Sequence, residues 1–354
     1  MIGFALRTTA RAGIFVGFIL ASACSSQTTP AHGEHWKWGT IAVTSEYKSM
    51  TDTMESAVKA GDFAKLDALD AEYREGTTSY GEPKLPLYYG EVTFLLNAGF
   101  NSHQCDDPFW SDYLDKWQAA SPRSPAPIIV RAMMLDKRAW CYRGEGTSAE
   151  VAASAWQPFR ENIDAAVALL EKNKPIASVD PQFYEELEDL YVSQQRTRAD
   201  FNALLAEASA RYPYYYDLYD AAFRNALPQW GGSLQQMDAI ARFAVEKTRA
   251  RDGASSYFRV YWARLHCRCF RDLEAMDWST MRVAMADLAQ RYPNDATYIR
   301  LIKMSCNRGD ADEARKYFAK LNTNDASTWR KETWDRCRQL VGPSPQPFPQ
   351  NIPQ

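Results

Sequence analysis

The chain has 354 residues, with 41 basic and 44 acidic side chains, and 46% of it is hydrophobic. So even a charge balance, with no basic stripe, argues against nucleic acid as a partner. The length suits one elongated domain or two compact ones, and the scarcity of glycine (17 in all), with no long Val/Ile/Thr runs, favours helix throughout.

Residues 1–23 read as a signal peptide. Arg7 and Arg11 give a positive n-region, residues 12–21 (AGIFVGFILA) a short apolar run, and Leu20-Ala21-Ser22-Ala23 a small-residue cleavage site before Cys24. The run is shorter than the ~20 residues a membrane span needs. With cysteine next in line, the pattern resembles the lipobox of bacterial lipoproteins, although Ala21 stands where leucine is commoner. The resemblance implies that Cys24 is acylated and becomes the new N-terminus. Ser25 behind it, by resemblance to enterobacterial sorting, implies the outer membrane, and the expected location is the envelope, lipid-anchored and facing the periplasm. Several acyl chains at ~0.8 kcal/mol per buried methylene would hold the chain on a membrane essentially for good. An ordinary secretory peptide or a short anchor is the alternative. Residues 24–44 are polar, carry Pro30, Gly33, Trp36 and Trp38, and are expected to form a tether.

From 45 to 341 the pattern is helix, turn, helix. First helices are expected near Ser45, Pro86, Ser124, Asp180, Tyr214, Ser255 and Asn294, each followed by one running back. Most of these starts lie about 34 to 41 residues apart, the spacing of stacked helical hairpins. Asp107-Pro108 and Asp180-Pro181 place a capping carboxylate before a proline, and Thr147 with Glu150 and Ser233 with Gln236 have capping-box spacing. Apolar stripes follow at helical period, Trp156, Phe159, Ile163, Ala166 and Leu170 making one of them. Residues 294–321 resemble a tetratricopeptide hairpin, with Gly309-Asp310 in the turn and Ala314 and Phe318 on the second helix. The expected fold class is all-α, a tetratricopeptide-like helical-hairpin solenoid. An irregular helical bundle is the alternative. Residues 342–354 are proline-rich and read as an extended tail.

Six cysteines remain once Cys24 is set aside, an even number that suits disulfides in an exported chain. Cys105 lies just before a helix expected at Asp107, and Cys141 near the end of the next, expected from Ser124. In an antiparallel hairpin those two levels coincide, so Cys105–Cys141 is the expected bridge. Cys267, Cys269, Cys306 and Cys337 occupy similar levels on alternate helices, and their pairings compete. Free buried thiols are the alternative.

Residues with chemistry are few. The four histidines are His32, His35, His103 and His266. His266-Cys267-x-Cys269 offers soft ligands, but helical positions two apart diverge, so no metal or other cofactor is expected. Glu186, Glu188 and Asp189 form an acidic run, read as a solvated helix face, with acid–base work on a glycan as the rival. Tyr212, Tyr214, Tyr215, Tyr216 and Tyr219 surround Pro213, with Trp230 downstream; consecutive tyrosines on a helix from Tyr214 cannot share one face. Some are expected in the core, while Tyr212, Tyr215, Tyr216 and Trp230 are candidates for a peptide or sugar groove. Trp140 and Arg143 join them as candidates, Arg143 facing an acidic ligand, although a helix C-terminus already explains an arginine there.

Ser124-Pro125-Ala126, Ala139-Trp140, Arg143-Gly144-Glu145-Gly146, Trp156 with Phe159, Arg211-Tyr212-Pro213 with Tyr216, Pro228-x-Trp230-Gly231-Gly232 and Tyr257 with Tyr261 occur in this order. Together they resemble the bacterial family catalogued as domain of unknown function 4034, over roughly residues 60–273. That resemblance implies a helical architecture and supplies no catalytic residue. The expected role is an envelope interaction scaffold whose partner is a protein or peptide. A glycan-binding lipoprotein and a peptidoglycan-acting enzyme are the alternatives.

Overall fold

A computed structural model describes residues 45–99, 105–106, 108–144, 146–228, 231–265, 276–322 and 331–342. Cys24, the signal peptide, the tether, Trp230, His266, Cys267, Cys269 and the tail beyond 342 lie outside the described residues. Sixteen α-helices account for most of the described chain, with an isolated bridge between Thr77 and Pro83. They run α1 (Ser45–Ala60), α2 (Phe63–Glu75), α3 (Leu85–Gly99), α4 (Phe109–Ala120), α5 (Ala126–Arg143) and α6 (Trp156–Lys172). After a short α7 (Lys174–Ala177) come α8 (Gln182–Ser193), α9 (Arg198–Arg211), α10 (Asp217–Asn225) and α11 (Leu234–Asp252). The last are α12 (Ser255–Leu265), α13 (Trp278–Arg291), α14 (Asp295–Arg308), α15 (Ala311–Phe318) and α16 (Lys331–Val341). No described helix is long and apolar enough to cross a membrane.

Several helix starts follow from short polar side chains that accept otherwise orphaned backbone N–H groups. Asp62 accepts from Lys65 N at 3.0 Å, Asn294 from Thr297 N at 2.9 Å, and Asp310 from Glu313 N at 3.0 Å. Ser233 caps α11 from the expected position, accepting from Gln236 N at 3.2 Å. Thr147 and Glu150 depart from expectation: Thr147 N donates to Glu150 Oε2 at 2.7 Å, but this closes a turn, and α6 begins only at Trp156. The expected helix at Tyr214 also starts later, at Asp217, because Tyr212-Pro213-Tyr214 is spent in the turn after α9.

The chain packs as successive helical hairpins, α1 on α2, α5 on α6, α8 on α9, α10 on α11, α12 on α13 and α14 on α15. The first helices also touch in series, α3 to α5, α5 to α8, α8 to α10 and α10 to α12, and so form one layer. Two hydrophobic clusters result, one from Met50 to Leu218 and the other from Tyr216 to Val341. They meet at the tyrosine run. Tyr215 is buried in the first cluster and its neighbour Tyr216 in the second, since consecutive residues of a turn point to opposite sides.

Cys105 and Cys141 are joined, with Cα atoms 5.7 Å apart, as the hairpin levels require. Cys306 and Cys337 form a second bridge, Cα atoms 5.1 Å apart, tying α14 to α16. One connection reaches far. Residues 76–84, between α2 and α3, form a tight finger in which Thr78 N donates to Glu82 O at 2.8 Å and Lys84 N to Gly76 O at 2.9 Å. Asn294, at the start of α14, donates from Nδ2 to Ser79 O at 3.1 Å, so the array curls until its first quarter meets its last.

Candidate functional site

Charged side chains gather on the layer formed by α5, α8 and α10. On α5, Asp136 and Trp140 are one turn apart, and Trp140 Nε1 donates to Asp136 Oδ1 at 3.1 Å. On α8, Glu185, Glu186, Glu188 and Asp189 span little more than one turn and therefore point in several directions. From α10, Arg224 Nη2 donates to both carboxylate oxygens of Asp189, at 2.9 and 3.0 Å. Tyr215 Oη lies 2.7 Å from Gln182 Oε1 and 3.1 Å from Glu185 Oε2. Asp217 and Asp220 complete the group from the first turns of α10.

The acidic run is not a solvated face. Glu186 and Glu188 are 8% and 2% exposed, because α8 is packed between α5, α6, α9 and α10. Nine-tenths buried, Glu186 keeps its Oε1 without a hydrogen-bond partner. Such an atom is costly unless its group is protonated or meets a cation. Burial, then the neighbouring carboxylates, pushes Glu186 and Glu188 well above the usual carboxyl range. Burial raises Glu185 to about 7 and Asp136 to about 6, against the opposing charges of Arg224 and Lys137. Asp217 is likewise raised, by burial first and then by Glu185 and Asp220. Burial and mutual repulsion together favour the protonated form of these carboxyls.

The sequence-flagged residues fall into two places. Trp140 is 41% exposed at the end of α5, with the Arg143 guanidinium 5.1 Å from its ring and 5.5 Å from that of Trp156. Arg143 also donates to the carbonyls of Gly144 and Gly146, at 3.0 and 3.2 Å, and so closes its own helix end. Tyr212, Tyr215 and Tyr216 sit instead at the seam between the two hydrophobic clusters. Tyr212 donates to Ser178 O at 2.8 Å. Tyr216, 6% exposed, bonds to Asp252 and receives Arg251 Nη2 at 2.8 Å. These tyrosines face packed neighbours, and among the described candidates Trp140 is the most open to solvent.

Asp136, Asp217, Asp220 and Arg224 lie on helices other than that of the acidic run, and no sequence spacing joins them to it. The spacing of Asp136 and Trp140, four residues apart, was the one local signal. Among the described residues no group of three or more side chains is placed to hold a metal ion. An open depression of about 670 Å³ beside α1 and α2, lined by Lys48, Asp52 and Lys65 among others, contains none of the cluster. Compared with protein-family models, curated proteins and solved structures, the chain matches none.

Proposed function

We propose that this chain is a lipid-anchored module of the bacterial envelope, a tetratricopeptide-like solenoid that holds a basic segment of another polypeptide. Hairpin arrays expose long surfaces suited to extended partners, which favours a scaffold. The observation that carries the reading is Glu186, nine-tenths buried with an unpartnered oxygen, among Asp136, Glu185 and Asp189. A lysine or arginine side chain supplies the missing donors, and the exposed Trp140 ring beside Asp136 offers a face for its stem or charge. Acylation at Cys24, resting on the lipobox-like sequence, would keep the module at the outer membrane.

The test is fluorescence anisotropy with a labelled lysine-rich peptide and with its glutamate-for-lysine counterpart, at low and moderate salt. The wild-type chain is expected to bind the basic peptide alone, and Asp189→Asn or Glu186→Gln to weaken binding about tenfold. Equal binding of both peptides, or no effect of either substitution in a folded variant, would sink the proposal. A second reading, a glycan hydrolase, is favoured by one fact: a buried carboxyl that keeps its proton near neutral pH is what a general acid requires. Release of new reducing ends from purified peptidoglycan, lost in Glu186→Gln, would establish it in place of the scaffold.

A further inference from the structure

We infer that Arg259 and Arg300 form a second recognition site, for an acidic peptide turn, which the chain's own finger at 76–84 fills in cis. Both arginines are nine-tenths buried, at 4% and 8% exposed, yet they come from different hairpins, α12 and α14. They converge on one oxygen. Glu82 Oε1 accepts from Arg259 Nη1 at 3.0 Å and from Arg300 Nη1 at 2.6 Å. Two cations thus share one carboxylate oxygen, and the Nε–H of each guanidinium has no partner. Buried charges are tolerated when paired, so the site holds more donor capacity than the finger uses.

The remaining contacts are those a peptide backbone offers. Arg259 Nη2 donates to Tyr80 O at 2.8 Å, and Asn294 Nδ2 to Ser79 O at 3.1 Å. The Arg300 guanidinium lies 3.9 Å from the Tyr80 ring centre, while Arg259 lies over the rings of Tyr216 and Tyr292, at 4.7 and 5.3 Å. Gly81 has φ +76°, and a Cβ there would lie 2.1 to 2.4 Å from the Tyr292 ring. The site therefore reads two carbonyls, an aromatic ring, a residue without a side chain and a carboxylate, in the order aromatic, glycine, acid. The finger closes on itself through Gly81 N to Thr78 O at 2.9 Å as well as its two cross-links, so it can leave as a unit. A partner presenting the same turn competes with a tethered copy, whose effective concentration favours the closed state.

This site carries the opposite charge to the acidic cluster of α5, α8 and α10, which Glu82 meets only as a charge neighbour of Asp217, so an acidic probe keeps its test apart from the basic-peptide experiment. The probe is a labelled peptide GTTSYGEPK, cyclised through added terminal cysteines, with a second version carrying glutamine for glutamate. Gly81→Ala in the full chain is expected to displace the finger, through its φ of +76° and the Tyr292 ring, while leaving both arginines in place, and faster amide exchange at 77–84 in the variant checks that it has done so. The variant should bind the cyclic peptide at least tenfold more tightly than wild type. Arg300→Ala in that background, or the glutamine peptide, should abolish binding. Equal affinity of wild type and Gly81→Ala, or binding that survives loss of Arg300 or of the glutamate, overturns the inference. Hydrogen exchange on the wild-type chain decides independently of how the variant folds. Saturating peptide should speed exchange of the amides at 77–84, and unchanged protection there would mean that the finger is only a strut.

Discussion

Raising the pH from 5 to 8 is expected to weaken this fold, and Glu185 allows the loss to be sized. In the unfolded chain its carboxyl titrates near 4.5, whereas burial in the native state holds it at about 7. Between those values the native state binds more protons than the unfolded one. The stability tied to Glu185 is therefore fully present below about pH 4.5 and is lost as the pH climbs through about 7. At 1.36 kcal/mol per pH unit, the loss between pH 5 and 8 is about 2.5 kcal/mol for this group. Asp136, raised to about 6, loses its share earlier, and the buried Asp70, Asp180, Glu186 and Glu188 pull in the same direction. Asp277 and Asp310, held low by hydrogen bonds from Ser279 and Thr280 in one case and Arg282 in the other, contribute stability lost only as pH falls below about 4, outside this window. Urea unfolding followed by circular dichroism at half-unit steps should show the midpoint falling toward pH 8. Glu185→Gln should flatten that profile by about 2.5 kcal/mol. A midpoint that rises with pH, or parallel profiles for wild type and Glu185→Gln, would refute the account of the cluster.

Three further outcomes can be checked separately. Cys105→Ser opens a loop with sequence separation 36 and should cost ~3 to 4 kcal/mol in urea titrations, and dithiothreitol, which opens the Cys306–Cys337 bridge as well, should cost the wild type more; a change under 1 kcal/mol in Cys105→Ser would show that the bridge constrains little. Gly232→Ala places a Cβ 2.0 Å from Ala226 O and should lower stability by more than about 2 kcal/mol, whereas an unchanged melting temperature would contradict that close approach. Cys24→Ser should release the chain from membrane pellets of the expressing bacterium; retention with the leader uncut would leave the lipid anchor without support.

Local chemistry made some features legible and hid others. Asn294 sits where a capping side chain must, and α14 starts one residue later, because a cap depends only on its own next three residues. Cys105 and Cys141 could be paired since one hairpin sets both levels. Cys306 and Cys337 could not, because α15 intervenes between their helices and several levels coincide. Glu186 and Glu188 look like surface residues in sequence, and only the arrival of α5 and α10 on either side of α8 buries them. Tyr215 and Tyr216 stand in the turn before α10 and not on a helix from Tyr214, and that two cores divide between them depends on tertiary packing. Arg259, Arg300 and Glu82 carry no pattern at all, standing 177 and 218 residues apart in chain order.

That separation sets an order of assembly. Most helix contacts join elements next to each other or one apart along the chain, and such low contact order favours rapid, piecemeal folding of hairpins. Closing the span from Glu82 to Arg259 across an unstructured chain would cost about 5 kcal/mol in loop entropy. Hairpins that have already formed shorten the gap and reduce that cost, so the finger should dock last. By the same reasoning it should undock first, by a sub-global opening that leaves both hydrophobic clusters intact. In native-state exchange with rising urea, amides at 77–84 should therefore lose protection well before those of α5 or α14, and simultaneous loss would mean that the curl forms together with the cores.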